Sequence, residues 1–192
     1  MASKPPVAVL DACVLYPFHL RNILVQAAFD GLFDARWSDE IHAEWIRNLA
    51  ANAPTVSVQR LEVTRDRMKD VLPEADVRDY RSLIPELKLP DTDDRHVLAA
   101  AIAAKASLIV SWNAKDFPIE ILKPFRVTCI SPDAFLIGLY GQYPDALIES
   151  VALARSNLRT SLPSHEDFVE AVERQGLKAV ADILRRNVGK LR

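Results

Sequence analysis

The sequence predicts an α/β fold with a mainly parallel central sheet flanked by helices, followed by a helical extension at the C-terminus. Short apolar runs alternate with segments of helical periodicity through about the first 140 residues, as in a parallel sheet with crossover helices. Beyond them only helical periodicity remains. Because 192 residues suit one domain with an appendage, we expect a domain over residues 1–140 and the extension over residues 141–192.

The first strand and two helices are predicted in the N-terminal quarter of the chain. The strand is Val7–Leu10, a continuous apolar run that follows two prolines. A helix is expected from about Leu20, because apolar residues recur at helical spacing until Gly31 can end it in a left-handed conformation. A second helix should begin at Ser38, a good N-cap residue, and run to about Asn52.

The middle of the chain predicts two more helices, an interrupted segment and two strands. Residues 56–71 are charged and amphipathic, which is typical of a helix that covers one side of a sheet. Residues 80–89 contain Pro85 and precede another proline, so a helix fragment or a loop is expected there. The remaining elements are a helix that begins near Asp94 and strands at residues 108–110 and 127–130.

The C-terminal part of the chain predicts helices over residues 144–158 and 164–187, the second divided at Gly176. Its charge differs from that of the rest of the chain. Residues 151–192 contain eight Lys and Arg against five Asp and Glu, a balance of +3, whereas residues 1–150 contain sixteen against twenty-one, a balance of -5. The extension is therefore modestly basic.

The composition excludes several classes of protein. An apolar content of 49% and a net charge of -2 are not those of a disordered or fibrous chain. No apolar run approaches the roughly 20 residues of a membrane helix, and the first residues lack the apolar stretch of a signal peptide, so we expect a cytoplasmic protein without membrane contact. Cys13 and Cys129 match no metal-ligand spacing and are expected to be reduced thiols.

Several polar residues could meet at one edge of the sheet. In a parallel α/β sheet, ligands collect at the carboxyl ends of the strands. Residues on helices can reach the same edge only through the packing of those helices. The candidates are Asp11 after the first strand, Ser111, Asn113 and Asp116 after the strand at residues 108–110, and Glu44 and Asp94 on the helices.

The four carboxylates among these residues predict a metal-dependent hydrolase. Carboxylates that converge without a counter-charge repel one another, and some of them must then keep a proton. A divalent cation removes this repulsion, and ligands that are all oxygen favour Mg2+ or Mn2+. Such ions assist in-line displacement at phosphorus. An acidic cluster of this kind is therefore typical of nucleases.

Four segments of the chain resemble, in order, the signature regions of PIN-domain nucleases, and in particular VapC-type toxins of bacterial toxin–antitoxin pairs. The segments are residues 10–17 (LDACVLYP), 41–45 (IHAEW), 93–101 (DDRHVLAAA) and 110–117 (VSWNAKDF). The resemblance covers about residues 7–135. It implies a PIN-like fold and a Mg2+- or Mn2+-dependent endoribonuclease that hydrolyses RNA phosphodiester bonds.

The resemblance also implies roles for single residues. Asp11, Glu44, Asp94 and Asp116 match the acidic quartet of the family and are expected to be catalytic and to bind the metal. Asp11 and Asp94 should be the principal ligands and Asp116 a further one, whereas Glu44 is either a ligand or the carboxylate that orients the attacking water. Ser111, Asn113 and Asp93 are expected to support the site or to contact the substrate.

Three features of the sequence bear on how closely it follows the family pattern. Cys13 stands where relatives often carry Asn, Ser or Thr, a residue that supplies a supporting hydrogen bond. Asp91 and Asp93 flank Asp94, so that the third acid has neighbours of the same type, although Asp94 best fits the start of the helix. The helical tail exceeds the minimal domain and resembles an extension found in a subset of VapC-like proteins.

The resemblance implies three partners: an RNA substrate such as tRNA or rRNA, a cognate antitoxin protein, and a second copy of the chain in a homodimer. The alternative is a non-catalytic PIN-fold module for RNA binding or assembly, which Cys13 and the basic tail favour. A phosphatase of the haloacid-dehalogenase type fits less well, because such an enzyme would want an aspartate at position 13.

Histidines, tryptophans and basic residues carry weaker expectations. His19, His42, His96 and His165 lack paired metal spacing, so packing or surface roles are expected, with His96 in solvent or in a salt bridge. Trp45 follows helical core spacing and should be buried, whereas Trp112 lies next to the site and is a candidate for stacking on RNA. The series Arg60, Arg65, Arg67 and Lys69 alternates with acids, as on a solvated helix face, and Arg47 is the remaining member of a candidate basic track.

Overall fold

A computed structural model describes residues 4–53, 55–158 and 163–191 of the chain. The strands are β1 (Val7–Leu10), β2 (Asp34–Arg36), β3 (Leu108–Val110) and β4 (Thr128–Ile130). The α-helices are α1 (Ala12–Leu15), α2 (Phe18–Phe29), α3 (Asp39–Asn52), α4 (Val58–Val71), α5 (Arg95–Ala103), α6 (Ile119–Leu122), α7 (Pro132–Gln142), α8 (Pro144–Ser156), α9 (His165–Arg174) and α10 (Lys178–Arg186). Short 3-10 helices form at Pro73–Ala75, Arg81–Glu86, Ala114–Asp116, Lys123–Phe125 and Val188–Lys190.

The strands form one parallel sheet in the order β2-β1-β3-β4. In the centre of the sheet Val9 pairs with Ile109, which pairs in turn with Cys129. This confirms the predicted α/β class with a parallel sheet. The strand β2 was not predicted, because it consists of three residues of which only Ala35 is buried, and so it has no apolar run.

The predicted helices form, with small differences at their ends. Helix α3 begins as expected after Ser38, whose side chain accepts a hydrogen bond from the backbone of Ile41. Helix α2 begins at Phe18, two residues before the predicted start, and is followed by Gly31 with φ of 79°. Helix α4 begins at Val58 after a Ser57 cap, two residues after the predicted start. Helix ends are set by capping groups, which periodicity alone does not show.

Other segments depart from the predictions or refine them. Helix α1 was missed because it is a single turn capped by Asp11, too short for a periodic signal. The segment at residues 80–89 contains the 3-10 helix Arg81–Glu86, with Pro85 inside it. In the C-terminal part, α9 and α10 are separated at Gly176, as predicted, where φ is 95°.

The chain divides into two compact units. The first contains residues 4–16 and 33–131, with the sheet and helices α1 and α3 to α6. The second contains residues 17–32 and 132–191, in which α2 packs against α8 and α9 packs against α10. The domain boundary expected at residue 140 stays a prediction, and α7 runs across that position.

Each unit has its own apolar core. In the first unit the sheet residues Val9 and Ile109 are fully buried, together with Trp37 and the predicted core residue Trp45. In the second unit Phe168 is buried. Burial of a large apolar side chain stabilises a fold by about 1.5–3 kcal/mol.

No helix formed by the described residues combines the length and the apolar character that crossing a membrane requires.

Candidate active site

The candidate site lies in the first unit, at the carboxyl ends of β1 and β3. The parallel ladder continues one residue past each strand: the backbone of Asp11 donates a hydrogen bond to Val110 (3.1 Å), and that of Ser111 donates to Ile130 (3.1 Å). Neighbouring backbones in one ladder hold their side chains at a fixed spacing. The sheet therefore places Asp11 beside Ser111, as the sequence predicted.

The carboxylate of Asp11 is buried and accepts three hydrogen bonds. Only 2% of this residue is exposed. Its Oδ1 accepts from the backbone of Ala12 at 2.6 Å, and its Oδ2 accepts from Ser111 Oγ at 2.6 Å and from Cys13 Sγ at 3.2 Å. Burial and the nearby charge of Glu44 raise the pKa of Asp11, while these hydrogen bonds lower it, and the net pKa is raised.

Backbone groups orient the two side chains that donate to Asp11. The amide of Asn113 donates to Ser111 Oγ at 3.0 Å, and the amide of Trp112 donates to Cys13 Sγ at 3.4 Å. Burial and the charge of Asp11 raise the pKa of Cys13 to about 12, so this thiol keeps its proton and can donate. Cys13 therefore supplies a hydrogen bond at the position where its departure from the family pattern had left one in question.

Asp94 is half-buried and lies among other carboxylates. It precedes α5, as predicted, but its side chain makes no capping hydrogen bond to that helix. Burial raises its pKa to about 7, together with the charges of the surrounding carboxylates. These carboxylates belong to Asp11, Asp91, Asp116 and Glu44. The fold thus brings Asp94 within electrostatic range of all three other members of the predicted quartet.

Glu44 lies in the middle of α3, and its side chain contacts a residue of α5. Its Oε2 lies 3.3 Å from Nε2 of His96. Of the two expectations for His96, solvent exposure or a salt bridge, the structure shows the contact with a carboxylate, which is an ion pair when the imidazole is protonated. Burial alone would lower the pKa of His96, but the hydrogen bond and charge of Glu44 raise it. No spacing signal could have linked these residues, because they are 52 positions apart in the sequence.

The other predicted residues lie at the surface of the site. Asp116 ends the short helix Ala114–Asp116 and is half-buried, whereas Asn113 is exposed. Asp93 is also exposed, and its backbone donates to the side chain of Asp91 at 2.8 Å. Of the three neighbouring acids, Asp94 is the one that is half-buried. This difference favours Asp94 as the third acid of the quartet.

An open cleft of about 600 Å³ is lined by two acids of the predicted quartet, Glu44 and Asp94. Asp11 and Asp116 are not among its lining residues. Carboxylates dominate its lining, and one guanidinium and one imidazole accompany them. The charged and titratable lining residues are Glu40, Glu44, Arg47, Asp91, Asp93, Asp94 and His96, and the other polar ones are Thr92 and Asn113. A strand of nucleic acid therefore meets strong negative potential here unless cations are bound.

The residues fit a divalent cation by donor type. Carboxylate oxygens are hard ligands, and burial together with the charges of the surrounding carboxylates raises the pKa of Asp94, which a bound cation would lower. Among the residues that the structure describes, no three His, Cys, Asp or Glu side chains converge closely enough to surround an ion. Ligation by three of them therefore requires side-chain movement.

Two basic residues of α4 are paired with acids outside the cleft. Lys69 contacts Asp39 at 2.6 Å and Asp76 at 3.1 Å, and Arg65 contacts Asp66 at 2.8 Å. These ion pairs agree with the prediction of a solvated helix face for this part of α4. His42 is buried and accepts a hydrogen bond from Trp45 Nε1 at 3.0 Å, in agreement with the predicted packing role.

Comparisons with known proteins match both units in part. A family model described as a PIN domain matches residues 7–115, which is more than half of the chain, and a second model, described as the VapC50 C-terminal domain, matches residues 132–186. The protein named "Putative ribonuclease VapC50" of Mycobacterium tuberculosis is 45% identical over 53 residues. That alignment spans 28% of this chain and 31% of the relative, so the chain matches less than a third of the relative's length. No solved structure matches the chain significantly.

Proposed function

The chain belongs to the PIN-domain family. From this premise we propose that it is a VapC-like, metal-dependent endoribonuclease, the toxin of a VapBC-type toxin–antitoxin pair. The observation that carries the proposal is Asp94, whose pKa is raised to about 7 by burial and by the carboxylates around it. A fold keeps mutually repelling acids together at a cost in stability, which a bound cation offsets.

Asp11, Asp94 and Asp116 would hold the cation, which we propose is Mg2+ or Mn2+. When bound, such an ion offsets the charge of the carboxylates, polarises the phosphate that is to be cleaved and makes a water more acidic. Glu44 either joins the ligands or orients the attacking water by accepting its proton in a hydrogen bond.

The other residues of the site orient these acids or contact the RNA. Ser111 and Cys13 fix one oxygen of Asp11, so that this carboxylate keeps its orientation while substrate enters. Asn113 and Asp93 lie at the exposed edge of the cleft, where the sugar and phosphate groups of RNA can reach them. Their contact with substrate is part of the proposal.

The partners follow from the family. We propose that the substrate is a structured RNA such as tRNA or rRNA and that a cognate antitoxin protein restrains the enzyme in the cytoplasm. The match of residues 132–186 to the VapC50 C-terminal domain supports the assignment to this type of toxin. A homodimer, which is common in the family, is a further part of the proposal.

Cleavage of a mixture of tRNA and rRNA by the purified chain tests the function. The wild type should cut the RNA in Mg2+ or Mn2+ and lose activity in EDTA. Asp94→Asn should cut at least about 100-fold more slowly, because one ligand and its charge are lost. Asp70→Asn, which removes an exposed carboxylate on α4, is the matched control and should behave as the wild type. Cleavage that survives in Asp94→Asn would contradict the proposal.

A second candidate function is a non-catalytic module that binds RNA or assembles with other proteins. The observation that favours it is the absence of a closed metal-binding cluster within the described residues. Under this alternative, the wild type binds RNA but shows no turnover across a range of Mg2+ and Mn2+ concentrations. The same cleavage assay, combined with an RNA-binding measurement, separates the two functions.

A further inference from the structure

We propose that His96 is a positioning residue that fixes the carboxylate of Glu44 at the edge of the acidic cleft. The proposal rests on the nuclease function proposed above, since it concerns one of the four acids of that site. It adds to the quartet a residue that acts through another side chain.

The contact joins two helices that are far apart in the sequence. Glu44 lies on α3, and His96 lies on α5, two residues after Asp94. The distance between His96 Nε2 and Glu44 Oε2 is 3.3 Å. Packing of α5 against α3 thus brings the imidazole to the second acid while the start of α5 carries the third. One helix end therefore sets the spacing of two acids.

His96 and Glu44 differ in how far their side chains are buried, and this difference suits a positioning imidazole and a reacting carboxylate. The side chain of His96 is 12% exposed, whereas that of Glu44 is 28% exposed, and both border the cleft. The imidazole is shielded and held by packing, while the carboxylate keeps access to the cleft. A rigid, shielded donor that holds an accessible acid is the arrangement that restricts its rotamers.

Apart from Glu44, the imidazole of His96 has no hydrogen-bond partner among the residues that the structure describes. Its Nδ1 is buried and has no hydrogen-bond partner within the part of the chain that the structure describes. Burial of a polar atom without a partner costs stability, so a residue needed only for packing would be better apolar. The polar interaction that an apolar side chain could not replace is the one with Glu44.

The carboxylate of Glu44 depends on its single partner more than that of Asp11 does. Asp11 accepts three hydrogen bonds at the strand end. For the side chain of Glu44, the contact with His96 is the only hydrogen bond that the described residues provide. A glutamate has three side-chain torsions, and small displacements of a reacting group slow catalysis severely. Loss of His96 should therefore affect the reaction through Glu44.

Two variants of the full chain separate support of Glu44 from packing. His96→Leu keeps an apolar side chain of similar size but cannot hydrogen bond, whereas His96→Gln keeps a donor that can reach a carboxylate. In RNA cleavage with Mg2+, His96→Leu should lower kcat by about 10–100-fold with little change in KM, and His96→Gln should restore much of the loss. His19→Leu, which changes a half-buried histidine that packs against Phe18 and Phe168 in the second unit, is the matched control and should leave kcat unchanged.

A double-mutant cycle with Glu44→Gln assigns the effect. In that background, His96→Leu should lower kcat by no more than about twofold, because the shared interaction is already lost. Titration of Mn2+ into the same four proteins is a readout independent of turnover and should show the same non-additivity. Thermal melting checks that each variant is folded.

The outcomes distinguish this inference from the function on which it rests. A wild type that neither cleaves RNA nor binds Mn2+ contradicts both. A wild type that cleaves RNA, with His96→Leu equally active, contradicts only the role of His96. Additive effects of His96→Leu and Glu44→Gln, or equal loss in His96→Leu and His96→Gln, would show that His96 serves packing and overturn the inference.

Discussion

At the scale of single residues, the chemistry of the site depends on how each carboxylate is surrounded. Asp11 is buried and receives three hydrogen bonds, whereas Asp94 makes no capping bond and lies among like charges. The first arrangement fixes a ligand in place. The second leaves a carboxylate that takes up a proton near neutral pH in the absence of a cation. Their environments thus give the carboxyl groups of Asp11 and Asp94 different properties, although the two groups are chemically identical.

The raised pKa of Asp94 predicts that Asp94→Asn stabilises the metal-free chain. The folded state binds the proton of Asp94 more tightly than the unfolded state does, so this group lowers stability as pH rises from about 4 through 7. In EDTA at pH 8, Asp94→Asn should raise the free energy of unfolding by about 1–2 kcal/mol after allowance for solvent screening. Chemical denaturation at several pH values measures it.

The pH dependence is the control for this prediction. The gain in Asp94→Asn should be smaller at pH 5 than at pH 8, because the wild-type carboxyl keeps its proton at the lower pH. Mg2+ should stabilise the wild type and not the variant. An equal gain at both pH values would contradict the assigned cause.

Cys13 is predicted to act as a hydrogen-bond donor and to be unreactive. Cys13→Ser keeps a donor for Asp11 and should retain cleavage within about threefold, whereas Cys13→Val should lower it about tenfold, since a buried hydrogen bond is lost. The pKa of about 12 also predicts slow alkylation of Cys13 by iodoacetamide in the folded chain at pH 8. Fast alkylation, or equal activity of the two variants, would contradict this role.

At the scale of elements, the site depends on strand ends and on helix packing to different degrees. Asp11 and Ser111 lie at strand ends. These positions could be predicted, because apolar runs such as Val7–Leu10 indicate buried strands. Helix packing places Glu44, and its contact with His96 could not be predicted, because no local pattern encodes a meeting of α3 and α5. The strand β2 was missed for a related reason: its pairing with β1 places it in the sheet, although its own residues are largely polar.

The N-caps of α3 and α4 offer a matched test at this scale. Ser38 is 1% exposed and accepts from Ile41, whereas Ser57 is exposed and accepts from Arg60. Ser38→Ala should lower the free energy of unfolding by about 1–2 kcal/mol, because a buried amide loses its partner. Ser57→Ala should lower it by about 0.5 kcal/mol, since water can replace the hydroxyl. Denaturant titration of both variants measures the difference, and equal losses would contradict it.

At the scale of the whole molecule, each compact unit is held by its own core and its own polar contacts. In the second unit, the buried guanidinium of Arg155 donates to the carbonyl of Pro163 at 2.7 Å and to that of Leu191 at 3.2 Å. His165 Nε2 also lies 3.0 Å from the carbonyl of Leu191. These contacts join distant segments of the unit. Periodicity predicted α2, α8, α9 and α10 but not α7. It carried no sign of these contacts, because they link side chains to irregular backbone.

Arg155→Met tests the importance of these contacts. The substitution keeps an unbranched side chain but takes the Arg155 donors from the carbonyl of Pro163 and from that of Leu191, which keeps only the contact with His165. Unfolding should therefore become easier by about 1–3 kcal/mol. Arg186→Met, at an exposed position of α10, is the control and should change stability by less than about 0.5 kcal/mol. Hydrogen exchange of α8 and α9 should rise in the first variant only. Unchanged exchange in Arg155→Met would contradict the prediction.

We propose that the acidic quartet binds a divalent cation, and a crystal structure of the full chain with Mn2+ is the strongest test of this claim. Anomalous scattering locates the ion without reference to activity. We expect an anomalous peak within about 2–2.5 Å of carboxylate oxygens of Asp11 and Asp94, with Asp116 or Glu44 as a further ligand. The peak should be lost in Asp94→Asn. Mn2+ bound elsewhere, with none at these carboxylates, would contradict the claim.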